Sequence, residues 1–84
     1  MTTKLLQGKK ALITGSRRGI GAGIAQLFAE HGADVGINDI ARDDEANKTI
    51  ASIESLGRKA SWHQADVGDR EDRSRMLDEF VEQH

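Results

Sequence analysis

Thr14-Gly15-Ser16-Arg17-Arg18-Gly19-Ile20-Gly21 follows directly on the apolar run Ala11-Leu12-Ile13. A short continuous apolar run between polar ends, here Lys10 to Thr14, is the pattern of a parallel strand buried on both faces. Where such a strand gives way to a helix, glycines leave backbone N–H groups uncovered, and the helix N-terminus adds positive potential. The stretch therefore reads as a seat for a phosphate. Taken alone, Gly15, Gly19 and Gly21 would more often be a tight turn with close helix packing, so the neighbouring segments carry the decision.

Downstream, Ile20, Ile24, Leu27 and Phe28 recur at helical spacing from Gly19 to His31, forming one stripe of a helix that Gly32 is placed to end. Ala22, Gly23 and Ala25 are small enough to let that helix lie close to a sheet. Residues 33–39 read as a second strand, with Gly36 as its weak point. Asp43 and Asp44 can cap or charge a second helix carrying Ala46, Ile50, Ile53 and Leu56, which Gly57 closes. Residues 59–67 form a less obvious third strand around Trp62. Residues 69–84 read as a last helix with Met76, Leu77, Phe80 and Val81 on one side and Asp69, Glu71 and Asp72 in its first turn.

The order strand, helix, strand, helix, strand, helix predicts an α/β fold with a Rossmann-like parallel sheet, built by right-handed crossovers. Two crossovers in one direction put both helices on one face and the first and third strands on either side of the second. The other face, and the open edge of the first strand, then need another cover.

The chain has 84 residues, enough for one small domain with a modest aliphatic core. A formal charge of -2 implies neither a nucleic acid nor an anionic membrane as partner. The absence of cysteine excludes a disulfide framework and thiolate metal sites, and no metal site is expected. Residues Met1 to Gln7 carry no apolar run of signal-peptide length, so a soluble, cytoplasmic protein is expected.

The glycine spacing G-x-x-x-G-x-G shares its physics with the general dinucleotide fingerprint: a tight turn, close backbone approach and close helix packing. Thr14, Gly15, Gly19 and Gly21 resemble the T-G-x-x-x-G-x-G cofactor motif of the short-chain dehydrogenase/reductase family, classical type. Two further positions join the resemblance. Asp39, followed by Ile40, stands at the end of the second strand, about 20 residues past the glycine turn, where a carboxylate can accept hydrogen bonds from the adenosine ribose. Asp66 and Val67 resemble the family's Asp-Val pair, whose carboxylate and backbone N–H meet the adenine. All three features fall at carboxyl ends of parallel strands, where open α/β sheets bind ligands. The implied cofactor-binding set is Thr14, Gly15, Ser16, Arg17, Arg18, Gly19, Ile20, Gly21, Asp39, Ile40, Asp66 and Val67.

The resemblance implies a nicotinamide dinucleotide as cofactor, an alcohol or carbonyl as substrate, and a homo-oligomer. Asp39 favours NAD over NADP, because a ribose 2'-phosphate about 4 Å from its carboxylate would be repelled by about 4 kcal/mol at an effective dielectric of 20. Arg17, Arg18 and Arg42 compete with that preference, and in the family a basic residue at the position of Arg18 occurs in NADP users. The resemblance covers nearly the whole chain but only the opening third of the family's fold. The family's hydride transfer needs a Tyr-x-x-x-Lys pair with a serine, and this chain has no tyrosine. No catalytic residue is assigned, and the chain is expected to be an N-terminal portion of a longer protein. The alternative is a stand-alone nucleotide-binding or interaction module.

Arg70, Arg73 and Arg75 read as a solvated helix face, and His31 and His63 as lone histidines without ligand-spaced partners. Gly68 stands where a hydroxyl cap often follows Asp-Val, and Arg73 where an apolar residue is expected. Both features make the last helix the least firmly placed element, and the most mobile.

Overall fold

The computed structural model describes residues 5–84. Met1 to Lys4, part of the stretch read as lacking a signal peptide, lie outside the described residues. The elements run β1 (Lys10–Ile13), α1 (Gly19–Glu30), β2 (Asp34–Asp39), α2 (Asp44–Ser55), β3 (Ala60–Gln64) and α3 (Arg70–Gln83). The three strands form one parallel sheet in the order β1-β2-β3, with Ala11 opposite Val35 and Ile37 opposite Trp62. The expected partial Rossmann-like α/β fold is therefore present. The third strand is shorter than residues 59–67, and Asp66 and Val67 lie beyond its end.

Side chains alternate across the sheet. On one face Val35 and Ile37 meet Ala25 and Ala29 of α1 and Ile50 and Ile53 of α2, flanked by Ile13, Ala60 and Trp62. The buried face of α1 is its alanine row, Ala22, Ala25 and Ala29, not the larger residues expected from the spacing. Ile20, Ile24 and Leu27 are exposed, and of the expected stripe only Phe28 packs against the core. The small residues decide this, because they let the helix axis approach the sheet more closely than isoleucines would.

The opposite face carries Gly36, Ser61 and His63, and α3 covers it. A Cβ on Gly36 would stand 2.7 Å from the Phe80 ring and 3.0 Å from Leu12, so this position is the berth of an aromatic ring. The expected apolar side of α3 is only partly used: Met76 is buried and Phe80 half-buried, while Leu77 and Val81 face solvent. Asp69 caps this helix by accepting the Asp72 N–H at 3.0 Å, which supplies the cap that Gly68 lacks. Arg73 and Arg75 are not merely solvated: they donate to the carbonyls of Val67 at 2.7 Å and Gln64 at 2.8 Å, tying α3 to the loop before it and to the end of β3.

Among the described residues no helix is long and apolar enough to cross a membrane.

Candidate functional site

The turn between β1 and α1 is built by three glycines with distinct tasks. Gly15 and Gly19 have φ of +60° and +65°, a left-handed backbone that costs other L-residues about 1–2 kcal/mol. Gly21 sits in the first turn of α1, where a Cβ would stand 2.3 Å from the Gly15 carbonyl oxygen. A Cβ at Gly15 or Gly19, by contrast, would meet nothing within 4 Å, so the outer side of the turn is open to a ligand.

The N-terminus of α1 differs from those of the other helices. Asp43 accepts the Ala46 N–H at 2.9 Å to cap α2, and Asp69 caps α3 likewise, each with acidic residues in the following turn. At α1 the N-cap residue is Arg18, which makes no side-chain cap, and no acidic residue follows. The first N–H groups of a helix have no intrahelical acceptor. At Gly19, Ile20 and Gly21 they remain for an anionic oxygen, with the helix dipole behind them. The residues present thus fit the pyrophosphate of a dinucleotide.

Main-chain bonds bring the three strand ends together. Ser16 N–H donates to the Asn38 carbonyl at 2.8 Å, and Ala65 N–H to the Asp39 carbonyl at 3.1 Å. Ser16 is fully buried, and its hydroxyl donates to the Ile13 carbonyl at 2.6 Å while accepting the Asn38 N–H at 3.0 Å. Its side chain therefore shapes the turn from beneath. Thr14 and Ile20 are exposed beside it.

Asp39 ends β2, and its Oδ1 accepts the Ile40 N–H at 2.8 Å. Arg17 lies between two carboxylates, with Nε 3.5 Å from Asp39 and Nη1 donating to Asp43 at 2.9 Å. The Ala46 N–H, aided by Arg17 and Arg18, holds the Asp43 carboxyl below its ordinary range. Arg42 is turned elsewhere: its Nε donates to Asn47 at 2.7 Å and its guanidinium lies 5.8 Å from the Trp62 ring centre. Arg17, Arg18 and Lys48, together with Glu45, Gly19, Ala22 and Thr49, line a cleft of about 300 Å³ between α1 and α2.

Past β3, Asp66 Oδ1 accepts the Gly68 N–H at 2.8 Å, and Asp66 N–H donates to Asp72 at 3.0 Å. Arg73 holds the Val67 carbonyl, as described above. Both Asp66 and Val67 are exposed.

Asn38 and Thr49 escape the sequence reading as supports of the site, while it takes Asp72 only as a first-turn acid and Arg73 only as a solvated helix-face residue. Each of the four holds a segment of the site rather than facing it. Thr49 Oγ1 donates to the Arg17 carbonyl at 2.7 Å and so fixes the turn to α2. The one signal that could have found Asn38 is its polarity amid the apolar residues of β2. Among the described residues no group of three or more His, Asp or Glu side chains could hold a metal ion.

The comparisons agree with this geometry. The family model described as short chain dehydrogenase matches residues 9–84. Versicolorin reductase 1 of Dothistroma septosporum is 46% identical over 77 residues, covering 92% of this chain and 29% of its own length. The L-rhamnose 1-dehydrogenase (NAD(P)(+)) of a Sphingomonas species is 42% identical over 79 residues, covering 94% of this chain and 31% of its own length. Among solved structures, a short chain dehydrogenase from Burkholderia cenocepacia in complex with NADP superposes with a TM-score of 0.87 at 45% identity, covering 92% of this chain and 31% of that one. The chain thus spans about 30% of the length of each of these relatives. The three-strand sheet, the glycine turn and the match over residues 9–84 establish that this chain belongs to the short-chain dehydrogenase family.

Proposed function

We propose that this chain is the cofactor-binding N-terminal part of a nicotinamide-dinucleotide-dependent oxidoreductase that interconverts an alcohol and a carbonyl, and that it takes NAD in preference to NADP. The observation that carries the reading is the uncapped N-terminus of α1, preceded by Arg17, whose Nε lies 3.5 Å from the Asp39 carboxylate. The bound dinucleotide would exchange a hydride with the substrate. The residues of this chain hold its adenosine half: the amides of Gly19, Ile20 and Gly21 meet the pyrophosphate, Asp39 meets the ribose, and Asp66 and Val67 meet the adenine.

The preference for NAD rests on how the arginines are used. Arg42 is committed to Asn47 and Trp62, and Arg17 to Asp39 and Asp43, which of the three arginines leaves Arg18 to meet a 2'-phosphate. The Asp39 carboxylate, even with Arg17 3.5 Å away, still sets a negative group beside a 2'-phosphate, with one exposed cation to oppose it. One relative is named for NAD(P)(+) and one solved relative holds NADP, so the choice is tested on this protein. NADH should bind the intact gene product at least tenfold more tightly than NADPH, and Asp39→Ala should narrow that gap. Tighter binding of NADPH, or an NADH affinity unchanged by Asp39→Ala, overturns the preference for NAD.

A longer parent protein is part of the proposal. α3 lies on the face opposite α1 and α2, so a right-handed continuation carries the chain back toward the free edge of β1. Among the described residues no strand pairs with that edge, Lys10–Ile13, whose backbone groups a further parallel strand would satisfy. The phenol that serves the family as acid and base would come from that continuation, since this chain has no tyrosine. An in-frame Tyr-x-x-x-Lys downstream supports the reading; a stop codon directly after His84 favours the stand-alone module instead. We also propose a homo-oligomer in the cytosol, on the family resemblance and the absence of cysteine, which light scattering and fractionation test.

A further inference from the structure

We propose that Asn38 is the positioning residue that sets all three ligand-facing segments at once, an inference that rests on the dinucleotide reading of the site. Asn38 is 1% exposed, yet every polar atom of its side chain is used. Oδ1 accepts the Gly15 N–H at 3.4 Å. Nδ2 donates to the His63 carbonyl at 3.0 Å and the Ala65 carbonyl at 3.3 Å. Two carbonyls beside one end and an N–H beside the other admit a single orientation of the amide.

The partners give this side chain its reach. Gly15 opens the glycine turn after β1, Ala65 directly precedes Asp66 after β3, and Asn38 itself directly precedes Asp39 at the end of β2. One amide therefore touches a residue in or next to each segment assigned to pyrophosphate, ribose and adenine. Its main chain adds the exchange with Ser16, through Ser16 N–H to the Asn38 carbonyl and Asn38 N–H to the Ser16 hydroxyl.

Asparagine suits this position for a definite reason. Aspartate keeps the acceptor and loses both donors, leucine loses all of them, and the serine hydroxyl is too short to bridge two carbonyls. A buried polar group with all partners met fixes one geometry, whereas an apolar replacement removes the side-chain partner of the Gly15 N–H and of the His63 and Ala65 carbonyls. The segments that face the ligand are loops, so their relative placement depends on such ties more than on core packing.

The test uses the intact gene product and the variants Asn38→Leu and Asn38→Ser, with Ile53→Val as a control that weakens the core away from the site. Binding of NADH and of ADP is titrated well below each melting temperature, where circular dichroism shows the variants folded. In parallel, backbone amide shifts are recorded without ligand. Both Asn38 variants should bind each ligand at least tenfold more weakly, and their ligand-free amide signals at Gly15, Asp39 and Asp66 should move together. Ile53→Val should bind within twofold of the parent. Wild-type affinity in either folded Asn38 variant overturns the proposal, as do Gly15 and Asp66 amides that stay in place. If the parent protein binds neither NADH nor ADP while the three amides still move in the variants, the dinucleotide reading fails and the positioning role of Asn38 stands.

Discussion

Gly21 packs so closely on Gly15 that a single methyl group at Gly21 would lie 2.3 Å from the Gly15 carbonyl oxygen. The contact is backbone to backbone, so no flexible side chain can yield. Gly21→Ala is expected to push α1 away from the turn, costing about 1–3 kcal/mol as overpacking does, and to weaken dinucleotide binding at least tenfold. Gly15→Ala meets open space but must hold φ near +60°, and should cost about 1–2 kcal/mol. Gly23→Ala, in the same helix with nothing within 4 Å, should instead stabilise by about 0.5–1 kcal/mol. Urea unfolding of the three variants measures the stability changes and NADH titration the loss of binding, and a common sign of the stability change for Gly21 and Gly23 would contradict the assignment.

In the proposed binding mode Asp39 acts on the cofactor and Arg42 does not. Asp39→Ala removes the charge-assisted hydrogen bonds proposed to the ribose and should weaken NADH by about 1.5–3 kcal/mol, tenfold or more. Arg42→Ala releases Asn47 and the Trp62 ring, and should leave the ratio of NADH to NADPH affinity within twofold while lowering stability by less than about 1 kcal/mol. Isothermal titration against both cofactors reads the two effects. A change of selectivity in Arg42→Ala would place that side chain at the ribose.

His63 makes stability depend on pH. It is fully buried, with Nε2 2.7 Å from Ser61 Oγ and Nδ1 3.7 Å from Glu79, and burial holds its pKa below 6.5 despite the opposing pull of Glu79. His84, bonded to the same hydroxyl at 2.8 Å, shifts in the same direction through its own burial. The unfolded chain therefore takes up protons that the folded one refuses, so stability is full above pH 6.5 and falls as the pH drops below it. The loss approaches about 1.4 kcal/mol per pH unit for each proton. Asp43, with its pKa lowered from 3.8, adds a further loss only at more acid pH. Urea unfolding at pH 7.5 and 5.5 should show the drop, and His63→Gln should lessen it; a stability that rises on acidification would contradict the burial account.

α3 should be the least protected helix. Met76 is its only fully buried side chain, and much of its attachment comes from exposed arginine contacts to the loop before it. Hydrogen exchange should release the amides of its last two turns well before those of Val35–Asn38 in the central strand. Equal protection in both would show that α3 opens only with the whole domain.

The order of elements was legible because glycines and apolar runs punctuate the chain at Gly15, Gly32 and Gly57. The three segments proposed to face the ligand stand out in the sequence for a related reason: each lies where a strand pattern stops. What periodicity misplaced was the inner face of α1, since it weighs Ile20, Ile24 and Leu27 above Ala22, Ala25 and Ala29, whereas close approach to the sheet selects the smaller set. The second face of the sheet was hidden as well. Asn38, Ser61 and His63 are buried there by their hydrogen bonds, and a polar residue's partners leave no trace in a hydropathy pattern. Arg73 belongs to the same class, because the direction of a long side chain depends on where the preceding loop lies.

The most direct measurement is a titration of the intact gene product with NADH, followed by backbone amide chemical shifts. The account predicts saturable shifts concentrated at Gly15 to Gly21, Asp39 and Ile40, and Asp66 and Val67, with α2's far end at Ser55 unmoved. Absence of saturable binding, or shifts that bypass Gly19 to Gly21 at the start of α1, would contradict it.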